Sequence, residues 1–189
     1  MTWLDRYLGR RRLQMALPEL PAGGRVLDIG THDGMLFRLT GSRGAAIDPE
    51  LACTTTAIPG VAMVKGMFPA DMSALPDGPY HAVTALAVIE HIPEDELADW
   101  SSALEKLLDP GGVLIITVPA PTVDAILHVL IRLRLASGIE AHQHYGFRPG
   151  DLDSIFAPPK WRRRKHRRFE LGLNHLYVFE RTAEPGTAW

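Results

Sequence analysis

Short apolar runs alternate with stretches of helical spacing through the first two thirds of the chain. Five of these runs have the length and composition of buried strands, at 25–30, 44–50, 61–66, within 81–91 and at 113–119. Between the last two, 94–108 repeats its apolar residues at helical spacing, and the Asp-Pro-Gly-Gly sequence at 109–112 ends that pattern. Parallel strands need crossovers long enough to hold a helix, so the alternation predicts a parallel sheet with helices on both faces.

The pattern changes near the carboxyl end. The stretches 167–172 and 174–181 are both strand-like and almost adjacent. A connection that short is typical of an antiparallel hairpin. With the five earlier runs, it predicts a three-layer, doubly wound α/β fold whose seven-stranded sheet is mostly parallel and ends in an antiparallel hairpin.

Composition narrows the class of protein. The 189 residues are enough for one well-buried domain over 1–189, and 46% are hydrophobic against 22% charged. The net charge of −2 argues against binding to polyanions through overall charge. Cys53 is the single cysteine, which excludes an internal disulfide and favours a reducing, cytoplasmic compartment. No apolar run approaches the ~20 residues that a membrane span needs.

A glycine turn follows the first strand in the sequence RVLDIGTHDGMLFRL at 25–39. A turn at the carboxyl end of a first parallel strand is the usual ligand site of a doubly wound sheet. A dinucleotide-binding turn would place glycine at 30, 32 and 35, but His32 and Met35 occupy two of these positions. The turn therefore disfavours a cofactor bound through a pyrophosphate.

The remaining pattern of Asp28, Gly30 and Gly34 resembles the first motif of the class I S-adenosylmethionine-dependent methyltransferases, with His32 in place of the middle glycine. Asp48 ends the second strand about 20 residues after the glycine turn, as in that family. The stretches 75–93 and 107–119 resemble its fourth and fifth strands, and the likeness extends over about 20–181. It implies a Rossmann-like methyltransferase that uses S-adenosylmethionine and releases S-adenosylhomocysteine.

The resemblance assigns the cofactor contacts to four places along the chain. The glycine turn would shape the pocket for the amino-acid part, and Asp48 would hold the ribose. Met67 and Phe68 would clasp the adenine, and 85–87 would flank the methionine portion. The expected cofactor residues are Asp28, Gly30, Thr31, His32, Gly34, Asp48, Pro49, Met67, Phe68, Ala85, Leu86 and Ala87.

Methyl transfer from a sulfonium is an in-line displacement, in which the protein aligns the acceptor and a base helps if the acceptor carries a proton. His91, His142 and His144 are the candidate catalytic bases, and Glu90 and Tyr145 are candidate substrate contacts. A purely structural role for each histidine stays open. This region resembles the ubiquinone-pathway O-methyltransferases, which carry a further Glu three residues before the Glu-His pair. This chain has Ala87 at that position, so no metal is expected.

Three segments flank the predicted core: a helical cap at 1–20, an acceptor-site or lid segment at 119–164, and a frayed tail at 182–189. Within the second, 122–138 is apolar on nearly every face. As a helix it would roof the acceptor pocket and favour an apolar or lipid-linked substrate, or contact a membrane surface, or pack against the sheet.

The sequence KWRRRKHRR at 160–168 has two interpretations. It would recognise phosphate or nucleic acid, or its charges would protect an exposed strand edge from pairing. The favoured hypothesis is a methyltransferase acting on a small-molecule or lipid-linked acceptor, with oxygen as the favoured acceptor atom and nucleic acid disfavoured. An RNA methyltransferase using this basic run and a non-catalytic S-adenosylmethionine-binding protein are the alternatives. The chain would be a monomer or a homodimer.

Overall fold

The structure is a computed structural model that describes residues 3–51, 57–120 and 148–183. Seven strands form one sheet: β1 (Arg25–Ile29), β2 (Arg43–Asp48), β3 (Val61–Lys65), β4 (Tyr80–Leu86), β5 (Leu108–Pro119), β6 (Trp161–Phe169) and β7 (Asn174–Arg181). The α-helices are α1 (Trp3–Ala16), α2 (Met35–Thr40), α3 (Leu97–Leu107) and α4 (Leu152–Ile155). Short 3₁₀ helices lie at Leu17–Glu19, Met72–Ala74, Ile89–His91, Glu94–Glu96, Pro149–Asp151 and Glu170–Gly172.

The strand order is β3-β2-β1-β4-β5-β7-β6. The first five strands pair in parallel, whereas β7 runs antiparallel to both β5 and β6. The order reverses between β1 and β4, because β2 and β3 lie on one side of β1 and β4 on the other. The predicted fold class is confirmed, and this reversal marks the edge where a doubly wound sheet binds its ligand.

Alternating side chains of the strands form a core on each face of the sheet. On one face, α3 and α4 cover the sheet, with large buried side chains such as Trp100 and Leu104 of α3 and Phe156 directly after α4. On the other face, Leu13 of α1 and Phe37 of α2 pack against neighbouring strands. The helical spacing at 94–108 therefore predicted α3 correctly, with Glu94–Glu96 forming a 3₁₀ turn before it.

The prediction for β6 was wrong about where the strand begins. It spans Trp161–Phe169 and not 167–172, because Glu170–Gly172 form a 3₁₀ turn. The basic run is therefore itself the edge strand from Trp161 onward, and 161–164 belong to the sheet rather than to the predicted lid segment. Trp161 and Phe169 are buried at its two ends, and the seven residues between them are exposed. Without an apolar alternation, only the backbone pairing with β7 identifies the strand.

The start of β5 also differs from the prediction. Asp109–Gly112 follow α3 as expected, but they lie inside the strand, which begins at Leu108 rather than at 113. Leu108 pairs with Tyr80, and a register shift on β4 between Tyr80 and Ala82 accommodates the extra residues. The predicted helix at 122–138 and the tail at 184–189 lie outside the described residues. No helix among the described residues is long and apolar enough to cross a membrane.

Candidate functional site

The turn between β1 and α2 takes left-handed backbone conformations at alternate positions. The φ angle is +75° at Gly30, +53° at His32 and +74° at Gly34. A Cβ atom added to Gly30 would lie 2.4 Å from Cγ2 of Val88, so the turn passes too close to the end of β4 for any side chain at that position. His32 holds a conformation that favours glycine, which explains why the motif has glycine at this position in the family that the sequence resembles.

Asp48 holds this turn in place. Its Oδ2 accepts a hydrogen bond of 2.7 Å from the backbone N–H of His32, and its Oδ1 accepts one of 2.7 Å from the N–H of Glu50. The backbone N–H of Gly30 donates to the carbonyl of Ile47 in the same region (2.9 Å). These bonds join the ends of β1 and β2 and orient a buried carboxylate at the ligand edge of the sheet.

Asp28 is the second buried carboxylate of the site. Its Oδ1 accepts a hydrogen bond of 2.6 Å from the hydroxyl of Thr84 on β4. Burial raises the pKa of Asp28 to about 6, although the hydrogen bond from the Thr84 hydroxyl opposes the change. The side chain is therefore close to its titration range at neutral pH and becomes easier to ionise when a cation lies beside it.

Two pockets open on either side of the glycine turn. The first pocket, of about 350 Å³, lies between α1 and the turn. The second pocket, of about 400 Å³, lies between the ends of β1 and β2 and the residues that follow β3 and β4. Gly30, His32 and Ala87 line both, so one ligand can extend across the two pockets.

Most of the predicted cofactor residues line these pockets. The first pocket contains Asp28, Gly30, Thr31, His32, Leu86 and Ala87. The second contains Gly30, His32, Asp48, Pro49, Met67, Phe68 and Ala87. Gly34 and Ala85 line neither pocket. A Cβ at Gly34 would lie 2.6 Å from Cδ1 of Ile58, and Ala85 is fully buried in the sheet, where it pairs with Ile29 and Ile116.

The candidate acceptor residues have different surroundings. His91 is exposed and lines the second pocket, in the 3₁₀ helix after β4. Glu90 is buried and lines neither pocket. His142, His144 and Tyr145 lie outside the described residues. Among the residues described, no group of three His, Cys, Asp or Glu could hold a metal ion.

Several lining residues were not predicted from the sequence. Arg6, Leu8, Gly9, Arg12 and Leu13 bring α1 into the wall of the first pocket. The basic composition of α1 was visible, but only its packing over the turn places two arginines near Asp28. In the second pocket, the ring of Trp100 meets Phe68 edge-on, with centroids 4.8 Å apart. A residue of α3 thus supports the predicted adenine contact, which no local pattern indicated.

A family model described as a methyltransferase domain matches residues 2–158. The chain is a class I S-adenosylmethionine-dependent methyltransferase. No curated protein matches this methyltransferase in sequence.

Solved methyltransferases share its fold. The 1,6-didemethyltoxoflavin-N1-methyltransferase of Burkholderia thailandensis, solved with bound 1,6-didemethyltoxoflavin and S-adenosylhomocysteine, is 19% identical, with a TM-score of 0.67 over 96% of this chain and 81% of that chain. A SAM-dependent methyltransferase from Archaeoglobus fulgidus is 17% identical, with a TM-score of 0.67 over 93% of this chain and 94% of that chain. An O-methyltransferase family protein from Burkholderia thailandensis is 16% identical, with a TM-score of 0.62 over 95% of this chain and 60% of that chain.

The cofactor of this methyltransferase is S-adenosylmethionine, and the two joined pockets fit it. The first pocket combines the carboxylates of Asp28 and Asp33 with two guanidinium groups, a set of charges suited to a zwitterionic amino acid. The second combines the Asp48 carboxylate with apolar and aromatic walls, which suit a ribose and a flat base.

Proposed function

We propose that this methyltransferase transfers the methyl group of S-adenosylmethionine to a small-molecule or lipid-linked acceptor, with oxygen as the favoured acceptor atom. The observation that carries the proposal is the pair of pockets joined at Gly30, His32 and Ala87 where the strand order reverses. The bound cofactor supplies a methyl group already activated on a sulfonium. The protein's task is to align the acceptor with it and to remove a proton where the acceptor carries one.

The cofactor would lie with its amino-acid part in the first pocket. There Asp28 would face the ammonium group, and Arg6 and Arg12 would face the carboxylate. In the second pocket Asp48 would accept hydrogen bonds from the ribose hydroxyls. Each of its oxygens accepts one backbone N–H and keeps a second lone-pair direction for a further donor.

Met67 and Phe68 would enclose the adenine. Phe68 is buried against Trp100, whereas Met67 is 53% exposed at the mouth of the second pocket. The carboxylate of Asp71 accepts the backbone N–H of Met67 (2.7 Å), which holds this loop in shape. Packing by the Met67 side chain would replace the polar contact that family members make with an Asp at this position.

His91 is the candidate base within the described residues, because it lines the second pocket directly after β4. A histidine suits removal of a proton from a hydroxyl near neutral pH. The similarity in fold to an O-methyltransferase family protein also supports oxygen, whereas the neighbour solved with 1,6-didemethyltoxoflavin is named as an N1-methyltransferase. The lone cysteine supports a cytoplasmic location.

Titration calorimetry with S-adenosylhomocysteine tests the cofactor site. We expect binding to the wild type, and a loss of about 100-fold or more in Asp48→Ala, because both the ribose acceptor and the support of the turn are removed. Asp77→Ala is the matched control, since its exposed side chain lies outside both pockets and should leave the affinity unchanged. Asp48→Asn should lose less affinity for S-adenosylhomocysteine than Asp48→Ala does. Thermal unfolding of each variant shows whether the fold is kept.

The wild type failing to bind S-adenosylhomocysteine at millimolar concentration would contradict the proposal. The acceptor class is tested separately, by following methyl transfer from labelled cofactor to a panel of phenols, carboxylic acids and amines. Transfer to amines alone would overturn the assignment to oxygen. Cofactor binding without transfer to any member of the panel would favour the non-catalytic alternative.

A further inference from the structure

A third cavity lies at the β6–β7 hairpin, separate from the two cofactor pockets. This hairpin cleft has a volume of about 500 Å³ and shares no lining residue with either pocket. Its polar lining consists of Asp153, Arg163, His166, Arg168, His175 and Tyr177. Ala120, directly after β5, also lines it, so the cleft opens at the same edge of the sheet as the cofactor pockets.

Strand register places the cleft residues on one face. His166 pairs with Tyr177 and Arg168 with His175 across the two strands, and Tyr177 belongs to the core on the α3 side. Arg167 pairs with Leu176, whose side chain packs in the core on the α1 side. Successive side chains of a strand point to opposite faces, so Arg168 faces the cleft and Arg167 faces away from it.

Among the residues that the structure describes, one cation of the cleft has no counter-charge. Arg163 forms an ion pair with Asp153, so these two charges offset each other. Arg168 has neither an ion pair nor a hydrogen-bond partner in the part of the chain that the structure describes. Burial is the main reason why the pKa of His166 and that of His175 are both lowered. The charge of Arg168 lowers both further, after that of Arg163 at His166 and the neighbouring His166 ring at His175. The cleft therefore presents an uncompensated guanidinium beside two neutral imidazoles.

The two histidines of the cleft form a hydrogen-bonded pair that always has one N–H group available for a ligand. Nε2 of His166 lies 3.0 Å from Nδ1 of His175, and the ring of His166 stacks on Tyr177 with centroids 4.2 Å apart. In a hydrogen bond between neutral imidazoles, one nitrogen donates and the other accepts. Whichever way the proton lies, one of the two outer ring nitrogens carries an N–H. The pair thus offers one donor to a ligand in either tautomer.

The register also sets the distance from the cofactor pockets. Leu86 pairs with Thr117, and Thr117 pairs with Leu176, so Ala87 and His175 lie at nearly the same level of the sheet. Neighbouring strands are about 4.8 Å apart, which separates β4 from β7 by roughly 10 Å and from β6 by roughly 14 Å. A single small molecule can span this distance.

We propose that the hairpin cleft binds an acidic group of the methyl acceptor, a carboxylate or a phosphate, through the guanidinium of Arg168 and one N–H of the His166–His175 pair. The identification of this ligand as the methyl acceptor rests on the proposed function. It narrows the substrate class to molecules with an anionic oxygen group some 10–15 Å from the methylated atom, the distance set by the strand spacing.

Imidazole proton signals of the full chain, followed by NMR at constant ionic strength, test the cleft with inorganic phosphate and with acetate. His166→Gln and His175→Gln assign the two signals. We expect saturable shifts of both, and weakening of binding by about tenfold or more in Arg168→Gln, because a charge-assisted bond is lost. Arg167→Gln is the matched control, since it removes the same charge one residue away on the opposite face and should keep the affinity.

Tighter binding of phosphate would identify a phosphorylated acceptor, and tighter binding of acetate a carboxylic acid. The inference is overturned if neither anion shifts the histidine signals, or if both arginine variants weaken binding equally, which would indicate a general charge effect. Calorimetry with S-adenosylhomocysteine on the same sample separates the two proposals. Cofactor binding without anion binding would overturn only the proposal for the hairpin cleft. Absence of cofactor binding would overturn the proposed function. Thermal unfolding of both variants confirms that they are folded.

Discussion

His32 is the residue at which the glycine turn differs most from the motif it resembles. Its φ of +53° costs a residue with a Cβ atom about 1 kcal/mol or more relative to glycine. Its backbone N–H still donates to Asp48, a bond that any residue can make. The side chain therefore adds strain to the turn while it lines both pockets, which is consistent with a role toward a ligand rather than in folding.

The strain predicts opposite effects of glycine at two positions. His32→Gly should be more stable than His32→Ala by about 1 kcal/mol, because both lose the ring but only glycine relieves the left-handed backbone. At Ser102, an exposed residue inside α3, the order should reverse, with Ser102→Gly less stable than Ser102→Ala by about 1 kcal/mol. Urea unfolding measures all four variants. If His32→Gly is the less stable of its pair, the turn is not strained at this position.

Asp28 predicts a stability that depends on pH. Its pKa is raised from 3.8 to about 6 in the folded protein, so the folded state holds the proton more tightly than the unfolded state. This group therefore opposes folding increasingly as the pH rises from about 4 through about 6, by up to about 3 kcal/mol. Asp28→Asn removes that penalty. We expect the variant to exceed the wild type in unfolding free energy by about 1–3 kcal/mol at pH 7.5.

The excess should shrink toward zero below about pH 3, where Asp28 is mostly protonated in both states, since its pKa is 3.8 before burial raises it. Urea unfolding at the two pH values measures it, and an excess that is equal at both would contradict the raised pKa. The same substitution should weaken the binding of S-adenosylhomocysteine, because it removes the negative charge beside the proposed ammonium site. Stability and cofactor affinity would then change in opposite directions, as expected for a charge buried for function.

At the scale of elements, β6 shows how an exposed edge strand is made. Charges at nearly every position prevent another chain from pairing along it, and most of them have partners. Lys160 reaches Glu105 (2.6 Å), Lys165 reaches Glu19 (2.6 Å), and Arg162 and Arg164 share Glu180 (3.0 and 3.4 Å). These contacts favour the edge-protecting interpretation of the basic run over recognition of a polyanion.

The pairing of β1 with β2 depends on Gly44. A Cβ atom there would lie 1.8 Å from the carbonyl oxygen of Val26, a backbone atom of the neighbouring strand that cannot move without breaking the ladder. Gly44→Ala should therefore lower the unfolding free energy by about 3 kcal/mol or more, or leave the protein insoluble. Gly111→Ala, at φ +82° in open space, should cost only about 1 kcal/mol. Equal losses in urea unfolding would show that the close contact is not rigid.

At the scale of the whole molecule, the charge distribution bears on nucleic-acid binding. The net charge is −2, and most cations of β6 are offset by acids from elsewhere in the fold. We expect replacement of Arg162, Arg163 and Arg164 by Gln to change the affinity for single-stranded RNA by less than about threefold at about 0.15 M salt. Fluorescence anisotropy measures this. A large loss, together with a steep dependence on salt in the wild type, would restore the RNA methyltransferase hypothesis.

The parts of the fold predicted correctly are those in which burial leaves a local trace. Leu27 and Ile47 lie in short apolar runs because strands covered on both faces exclude polar residues, and α3 repeats its apolar residues every three or four positions for the same reason. The charged strand β6 has no such trace. Its pairing with β7 uses backbone hydrogen bonds, which any side chain permits.

The sequence by itself determined the succession of strands and helices along the chain and the glycine turn with Asp28 and Asp48. Through these features it also determined the family and its cofactor. These features depend on residues a few positions apart. Only the tertiary structure placed α1 over the first pocket, Trp100 behind Phe68, and Arg168 beside the His166–His175 pair. Some of these arrangements join segments that are distant in the chain, as the hydrogen bond from Arg12 of α1 to Asn174 of β7 also does. Others depend on which face of a strand a residue occupies, as with Arg168 in the cleft and Arg167 on the opposite face. Spacing along a sequence records which residues are buried, but packing decides which of them meet.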